Sequence, residues 1–170
     1  FINGKIIGSN TDGPGALDAL EAHIKVAGKQ IVVLGAGGAA RAIAWQAKQQ
    51  GADVLVCNRN KERAQKLAYG IGCRGGGFDA ISSNYRVIIN ATAHENPIDP
   101  ECILSGAIAM DIRVRPKETL FLQEAKKRGC TLVYGYEMFI KQAALQFKTW
   151  FNDIDIGKAE QLLMNGYKNA

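Results

Sequence analysis

Residues 30–41 read Gln-Ile-Val-Val-Leu-Gly-Ala-Gly-Gly-Ala-Ala-Arg, and they indicate the architecture of the whole chain. Apolar residues 31–34 predict a buried parallel strand that leads directly into the pattern Gly35-x-Gly37-x-x-Ala40. This order of strand, glycine turn and helix start is typical of the corner that binds the phosphates of a dinucleotide. Gly35 permits a tight turn, Gly37 lets the backbone approach a pyrophosphate, and Ala40 lets the helix lie close to the strand.

A helix that begins at such a turn directs free backbone N–H groups and the positive end of its dipole at an anion. We therefore predict that the backbone of this loop binds the cofactor phosphates, through residues Gly35, Ala36, Gly37, Gly38 and Ala39. A tight strand-to-helix turn that binds no ligand is the alternative interpretation of the same residues.

Short apolar segments alternate with helical segments along the rest of the chain. This alternation predicts an α/β fold, a Rossmann-like doubly wound parallel sheet with helices on both faces, in one domain over residues 1–170. The glycines at 75–77 predict a loop with room for a short strand before it. We predict strands at residues 1–7, 30–34, 52–57, 86–90, 107–112 and 131–134, and helices at residues 14–26, 39–50, 60–69, 78–83, 118–128, 137–151 and 158–167.

The composition excludes several classes of protein. The 170 residues carry a net charge of +5 and four cysteines without a C-x-x-C pair, and we predict no metal site. No apolar run is long enough for a membrane span and no secretory signal is visible, so we predict a cytoplasmic protein with reduced thiols. Because basic residues do not cluster with aromatic ones, nucleic-acid binding is disfavoured. The positive charge is either a solvated surface or an attraction for phosphates and carboxylates.

The end of the second predicted strand indicates which dinucleotide binds. In this fold an acidic residue there accepts hydrogen bonds from the ribose hydroxyls of NAD. This chain has Asn58 and Arg59 instead, with Arg63 one helical turn further on. Guanidinium groups can pair with a 2′-phosphate, so we predict NADP; two arginines on a solvated helix start are the alternative.

The fourth predicted strand ends in Asn90-Ala91-Thr92, at the sheet edge where ligands lie in such folds. Asn90 can hold the following turn through its own side chain. Contacts of all three residues with the cofactor are the functional alternative, and the tripeptide alone does not distinguish the two.

These segments together resemble the shikimate dehydrogenase family. The resemblance rests on six motifs in the same order along almost the whole chain. They are Gly8-x-Asn10-Thr11-Asp12, the glycine loop 35–41, Asn58-Arg59 with Arg63, the strand end 88–92, Asp111 with Pro116 and Thr119, and Gly135-x-x-Met138-x-x-x-Gln142.

The resemblance implies an NADP-dependent oxidoreductase that interconverts 3-dehydroshikimate and shikimate. It implies that Asp12 is catalytic and orients a lysine beside the reacting oxygen, and that Asn10 and Gln142 contact the substrate. Gly135 and Met138 match residues that line the nicotinamide pocket. From the residues alone, Asp12 is better explained as a helix-capping residue and Gln142 as a surface residue, and only the ordered set of motifs favours the functional roles.

The resemblance also implies a second, N-terminal substrate domain that carries the lysine, and this chain begins just before Gly8-x-Asn10. We therefore expect the chain to bind NADP and to be inactive alone. The sequence of residues 137–143 is similar to that of shikimate dehydrogenase domains that are fused behind 3-dehydroquinate dehydratase in bifunctional enzymes. Val114 and Glu95 depart from the family pattern. Arg113 and Arg115 either compensate for Glu95 or bind the substrate carboxylate.

Two other functions stay open at this point. A quinate/shikimate dehydrogenase paralogue with a different substrate preference would explain Val114 and Glu95. A non-catalytic NADP-binding module would keep the fold and lose the chemistry.

Overall fold

The computed structural model describes residues 4–151 and 153–168, in which six strands form one parallel sheet. The strand order is β3-β2-β1-β4-β5-β6, which confirms the predicted doubly wound sheet. The order reverses between β1 and β4, and ligands bind at that point in folds of this type. The strands are β1 Gln30–Leu34, β2 Asp53–Cys57, β3 Arg74–Gly76, β4 Val87–Asn90, β5 Ile108–Asp111 and β6 Thr131–Val133.

Helices cover both faces of the sheet. Alternate residues of β1 point to opposite faces, so Ile31 and Val33 join one core cluster while Val32 and Leu34 join the other. The first cluster includes side chains of α1, α2, α3 and α5, and the second those of α4. The helices are α1 Asp12–Glu21, α2 Gly38–Gln49, α3 Lys61–Ile71, α4 Leu120–Lys127, α5 Gly135–Trp150 and α6 Ile156–Lys168.

Two glycines place α1 tightly between α2 and α5. A Cβ atom on Gly13 would lie 2.6 Å from the carbonyl oxygen of Ala42 in α2. A Cβ atom on Gly15 would lie 2.7 Å from the backbone nitrogen of Gln142 in α5. Because no larger residue fits at either position, the start of α1 is fixed between the helix of the glycine turn and the helix that carries Gln142.

Several predicted boundaries were wrong. The first predicted strand falls partly on residues 1–3, which lie outside the described residues, and residues 4–7 form no strand beyond one isolated bridge. Helix α3 passes through Gly70 and ends at Ile71, because Gly72 adopts the left-handed conformation with φ of 77°. The helix predicted at 78–83 is a single 3-10 turn over Phe78–Ala80.

Other segments are shorter or more regular than predicted. Helix α1 ends at Glu21, and α4 begins only after Thr119, whose side chain accepts the N–H of Leu122. The glycine-rich loop contains β3, an edge strand that pairs with β2. A Cβ atom on Gly75 would lie 2.6 Å from the carbonyl oxygen of Ala64, so glycine is required where α3 packs on this strand.

Two absences concern the described residues only. Within residues 4–151 and 153–168, no helix has the length and apolar character that a membrane crossing requires. The same part of the chain holds no group of three or more metal-ligating side chains. All four cysteines are free thiols.

Candidate functional site

The glycine turn after β1 has the geometry that its sequence predicts. Gly35 has φ of +113°, and a Cβ atom there would lie 2.8 Å from the carbonyl oxygen of Ala91. Its N–H donates to the carbonyl oxygen of Cys57 at 2.7 Å, which ties the turn to the end of β2. Gly35 is therefore required by the fold itself, because any side chain would be strained and would collide with the end of β4.

Gly37 has a different reason to be glycine. A Cβ atom on Gly37 would meet no atom of the described residues within 4 Å, and the same holds for Gly38. Gly37 is the N-cap of α2 and supplies no side-chain cap. The first amides of α2 thus lack a side-chain acceptor beside open space, which is the arrangement that binds phosphate at a helix N-terminus.

A groove leads from this turn to the two predicted arginines. One cavity of about 260 Å³ is lined by the glycine turn, residues 91–93, Asn58 and Arg63. The next, of about 320 Å³, is lined by Arg59, Asn60, Phe78 and the loop after β4. The two cavities share Asn58, Arg63 and Thr92. The structure therefore brings the predicted pyrophosphate residues and the predicted 2′-phosphate residues into one continuous groove.

The arginines are placed by the start of α3. The Asn60 side chain caps this helix and accepts the N–H of Arg63 at 2.8 Å, while Asn58 Nδ2 donates to the Asn60 carbonyl oxygen at 3.0 Å. Arg59 and Arg63 are both exposed. Among the ion pairs of the described residues, none involves either guanidinium. Both charges are available to a ligand anion.

Asn90 has the structural role that the sequence left open. It is fully buried, and its Oδ1 accepts hydrogen bonds from the N–H of Thr92 at 3.0 Å and from Thr92 Oγ1 at 2.7 Å. Its Nδ2 donates to the carbonyl oxygen of His94 and to Asp111 Oδ2. The side chain fixes the turn after β4, so Ala91 and Thr92, rather than the Asn90 amide, line the groove.

Asp111 is the centre of this buried network. Its carboxylate is fully buried and accepts hydrogen bonds from Asn90, from Thr119 Oγ1 at 2.7 Å and from the N–H of Arg113 at 3.0 Å. The ends of β4 and β5 and the start of α4 are thereby held together. The sequence supplied Asp111 and Thr119 as motif residues but did not predict that they bind each other.

The structure places Arg113 beside Glu95. Arg113 Nη1 lies 3.6 Å from Glu95 Oε1, and its Nε lies 3.5 Å from Asp111 Oδ1. The Arg113 side chain is only 19% exposed. Of the two roles considered for Arg113, these contacts favour compensation of Glu95. They also give the Glu95 carboxylate a cationic partner.

The predicted substrate residues lie at the start of α1 and on the facing helix α5. Asn10 Oδ1 accepts the N–H groups of Asp12 and Gly13, so Asn10 and not Asp12 caps α1. Gln146 Nε2 donates to Thr11 Oγ1 at 3.2 Å, which joins the two helices beside Gln142. Within the described residues, the Asp12 carboxylate has no hydrogen-bond or ion-pair partner, and it remains partly exposed.

The two residues predicted beside the nicotinamide begin α5. A Cβ atom on Gly135 would collide with the carbonyl oxygen of Arg113, so only glycine allows α5 to approach the segment after β5. Met138 is 5% exposed and packs in the first core cluster. Gly135 thus lies against the segment after β5, whereas neither residue lines the groove described above.

Burial also affects the end of β2. It raises the pKa of the Cys57 thiol to about 12, an effect that nearby Asp79 increases and Arg74 opposes. Cys57 is therefore a protonated, unreactive thiol at neutral pH, and its role here is to pack beneath the glycine turn.

Sequence reasoning missed part of the groove wall. Phe78, His94, Asn96 and Pro97 line the 320 Å³ cavity opposite the arginines. The sequence feature that could have predicted the residues after β4 is their position in a loop that follows a strand at the switch point of the sheet. Such loops face the ligand in folds of this type. An apolar groove of about 710 Å³ between α5 and α6 is larger. Val114 and Arg115 line it, but none of the residues predicted to bind the cofactor, to be catalytic or to contact substrate hydroxyls does.

Comparisons with known proteins agree with this geometry. A family model described as Shikimate / quinate 5-dehydrogenase matches residues 18–114. The chain is 38% identical over 177 residues to the shikimate biosynthesis protein AroDE of Chlamydia pneumoniae, covering 99% of this chain and 35% of that protein. It is 39% identical over 165 residues to the shikimate dehydrogenase (NADP(+)) of Methanosarcina mazei, covering 86% of this chain and 59% of that protein. The chain thus spans about a third and three fifths of these two relatives.

A solved structure has the same fold. The shikimate 5-dehydrogenase of Thermus thermophilus, in complex with NADP(H) and shikimate, superposes with a TM-score of 0.84 at 35% identity. The match covers 96% of this chain and 65% of that protein. Because the family model matches more than half of the chain and the strand order and glycine turn agree with it, this chain belongs to the shikimate/quinate 5-dehydrogenase family.

Proposed function

We propose that this chain is the NADP-binding domain of a shikimate dehydrogenase. The observation that carries the proposal is the continuous groove from the Gly37 turn to Arg59 and Arg63, which are exposed and form no ion pair among the described residues. A groove with helix-start amides at one end and two free guanidinium groups at the other fits the pyrophosphate and the 2′-phosphate of NADP. The NADP(+) and NADP(H) in the names of the relative and the solved structure support this choice.

The end of β2 favours NADP over NAD. Residues 58–61, directly after Cys57, include no carboxylate, and the side chain of Asn58 donates to the backbone of Asn60. An arginine that faces a ribose carrying no 2′-phosphate gains little, whereas a phosphate dianion forms charge-assisted hydrogen bonds with it. The difference in affinity between the two nucleotides should therefore depend on Arg59 and Arg63.

The proposed reaction is the interconversion of 3-dehydroshikimate and shikimate, with NADP supplying the hydride chemistry when bound. The carbonyl oxygen that is reduced must also gain a proton from a positioned group. Asp12 lies partly exposed and without a partner in the described residues at the start of α1, in a position to hold a cationic side chain from elsewhere in the protein. Asn10, which accepts the N–H of Asp12, and Gln142, which packs against Gly15 of the same helix, would contact substrate hydroxyls.

We propose that the partner of Asp12 is a lysine of a separate substrate-binding domain. The parts of the two relatives that this chain does not span leave room for such a domain. The chain alone would then bind NADP without turning over substrate. The shikimate-to-quinate ratio of turnover, measured on the whole protein, would separate a shikimate dehydrogenase from a quinate-preferring paralogue.

The test of the proposal is calorimetric titration of this chain with NADP and with NAD. We expect clear preference for NADP, and in Arg59→Ala a loss of about 1.5–3 kcal/mol for NADP with little change for NAD. Arg86→Ala is the matched control, because Arg86 is also an exposed arginine but precedes β4, at the end of the strand opposite to the groove. Equal losses for both nucleotides would contradict the phosphate role, and no binding of either would contradict the proposal itself.

A further inference from the structure

The loop after β4 carries a histidine on a fixed backbone. The N–H of His94 donates to Thr92 Oγ1 at 3.1 Å, and its carbonyl oxygen accepts from Asn90 Nδ2 at 3.0 Å. Asn90 is in turn held by the buried Asp111. The position of the His94 main chain is therefore determined by the sheet and does not depend on a ligand.

His94 lines the cavity that also contains the two free arginines. Arg59 and Arg63 reach this cavity of about 320 Å³ from the start of α3, and His94 reaches it from the loop after β4. Phe78 and Pro97 form apolar parts of the wall. The cavity thus receives two permanent cations and an imidazole from two separate segments of the chain.

No carboxylate among the described residues lines this cavity. The acidic residues nearest to His94 in sequence are engaged elsewhere. Glu95 pairs with Arg113 at 3.6 Å, and Asp99 accepts the N–H of Glu101 at 2.9 Å to cap a 3-10 turn. The cavity is therefore suited to a dianion rather than to a cation or a neutral sugar.

We propose that His94 is a third ligand of the 2′-phosphate and thus a specificity residue for NADP, an inference that rests on the proposed function. A phosphate monoester has three terminal oxygens, and the arginines approach it from α3 only. An imidazole N–H from the loop after β4 supplies a donor on the other side. This two-sided contact also joins the loop to α3 when the nucleotide binds.

Two substitutions separate this role from stacking on adenine. His94→Ala removes both the ring and its donor, whereas His94→Phe keeps an aromatic ring and removes only the N–H groups. We expect both variants to weaken NADP binding about 5- to 10-fold, as for loss of one charge-assisted contact, and to leave NAD binding unchanged. An unaltered NADP affinity in His94→Phe, or equal losses for NADP and NAD in His94→Ala, would overturn the proposal.

A second measurement observes the ring directly. The chain has only two histidines, so the proton NMR signals of their imidazoles can be separated by the His94→Phe variant. We expect adenosine 2′-monophosphate to shift the His94 signals, and the 5′-isomer to shift them much less. His23, which follows α1 and lies 3.8 Å from Glu137, is the internal control and should not respond.

The outcomes also distinguish this inference from the proposed function. A wild-type chain that binds NADP normally while both His94 variants match it would overturn the role of His94 alone. A wild-type chain that binds neither nucleotide would overturn the proposed function and this inference together. Thermal unfolding of each variant shows whether a change in affinity reflects folding.

Discussion

The candidate site has two parts, a cofactor edge that would bind NADP and a substrate edge around Asp12. The described residues supply all the groups that the cofactor edge needs, but not all of those that the substrate edge needs. At the cofactor edge, the glycine turn, the free arginines and the loop after β4 form one groove whose supporting contacts all lie in the described residues. At the substrate edge, Asn10 caps α1 and a hydrogen bond joins Thr11 to Gln146, but Asp12 has no partner in the described residues.

This difference separates binding from chemistry. Phosphate recognition needs only backbone amides and guanidinium groups that the α/β fold itself positions. Proton transfer to a reacting carbonyl needs an acid at a defined distance. Within the described residues, no cationic side chain that could be this acid pairs with Asp12. We therefore expect substitutions at the cofactor edge to alter the affinity for NADP. Substitutions at the substrate edge should lower turnover without altering the affinity for NADP.

The largest expected effect is that of Gly37→Val on nucleotide binding. The new side chain would occupy the open space in which the pyrophosphate is proposed to lie, so we expect binding to fall below detection, at least about 1000-fold. Stability should change by less than about 1 kcal/mol, because a Cβ atom at Gly37 would meet no atom within 4 Å in the described part of the chain. Calorimetric titration and thermal unfolding measure the two quantities.

Two other glycines serve as controls for Gly37→Val. Gly70→Val also adds a side chain in open space but lies in α3 outside the groove, so it should bind NADP normally. Gly35→Ala should instead destabilise the fold, since its Cβ atom would approach the carbonyl oxygen of Ala91 at 2.8 Å. Normal binding by Gly37→Val would refute the proposed phosphate corner.

The next effect is that of Asp12→Asn on turnover. Because the neutral amide cannot hold a cationic partner, we expect turnover of shikimate by the whole protein to fall about 100- to 10,000-fold. Affinity for NADP, measured on this chain, should stay within about twofold, since Asp12 lies outside the phosphate groove. A matching loss of NADP affinity would remove the distinction between the two edges, and full turnover would exclude a catalytic role for Asp12.

A third expected effect is the loss of stability in Asp111→Ala. The substitution leaves Thr119 Oγ1 without its acceptor and deprives the largely buried Arg113 of one of its two carboxylates. We expect unfolding in denaturant to become easier by about 2–3 kcal/mol and NADP binding to weaken several-fold, because the turn held by Asn90 loosens. Asp99→Ala, which removes an exposed cap of a 3-10 turn, should cost about 1 kcal/mol and leave binding intact.

The cofactor edge was largely predictable because its signals are local. Strand β1 matches its predicted residues 30–34, and the geometry of Gly35 and the exposure of Arg59 and Arg63 follow from contiguous sequence. The turn after β4 was only half predictable. From the sequence, the side chain of Asn90 could equally contact the cofactor or hold the turn after β4. The structure favours the second role, because Asn90 donates a hydrogen bond to Asp111, 21 residues away.

One of the remaining errors has a local cause and the others have nonlocal ones. Gly70 resembled a helix end, but Gly72 ends α3, because the left-handed backbone that closes the helix occurs there. Strand β3 contains two glycines and has low intrinsic β-propensity, so only its pairing with β2 and the close packing of α3 on Gly75 make it a strand. The link from Glu95 to Arg113 joins two loops and leaves no periodic pattern in the sequence.

The smallest expected effect is a loss of stability at alkaline pH caused by the buried Cys57 thiol beneath the glycine turn. Burial raises the pKa of the Cys57 thiol from 9.0 to about 12, so the unfolded chain loses this proton between pH 9 and 12 while the folded chain keeps it. The unfolded state then binds fewer protons, and the free energy of unfolding falls as the pH rises through that window. Cys57→Ala removes this contribution, so its stability should decline less steeply above pH 9 than that of the wild type. Val56→Ala, a buried truncation in the same strand without a titrating group, should run parallel to the wild type; equal slopes for all three would mean that water reaches the end of β2.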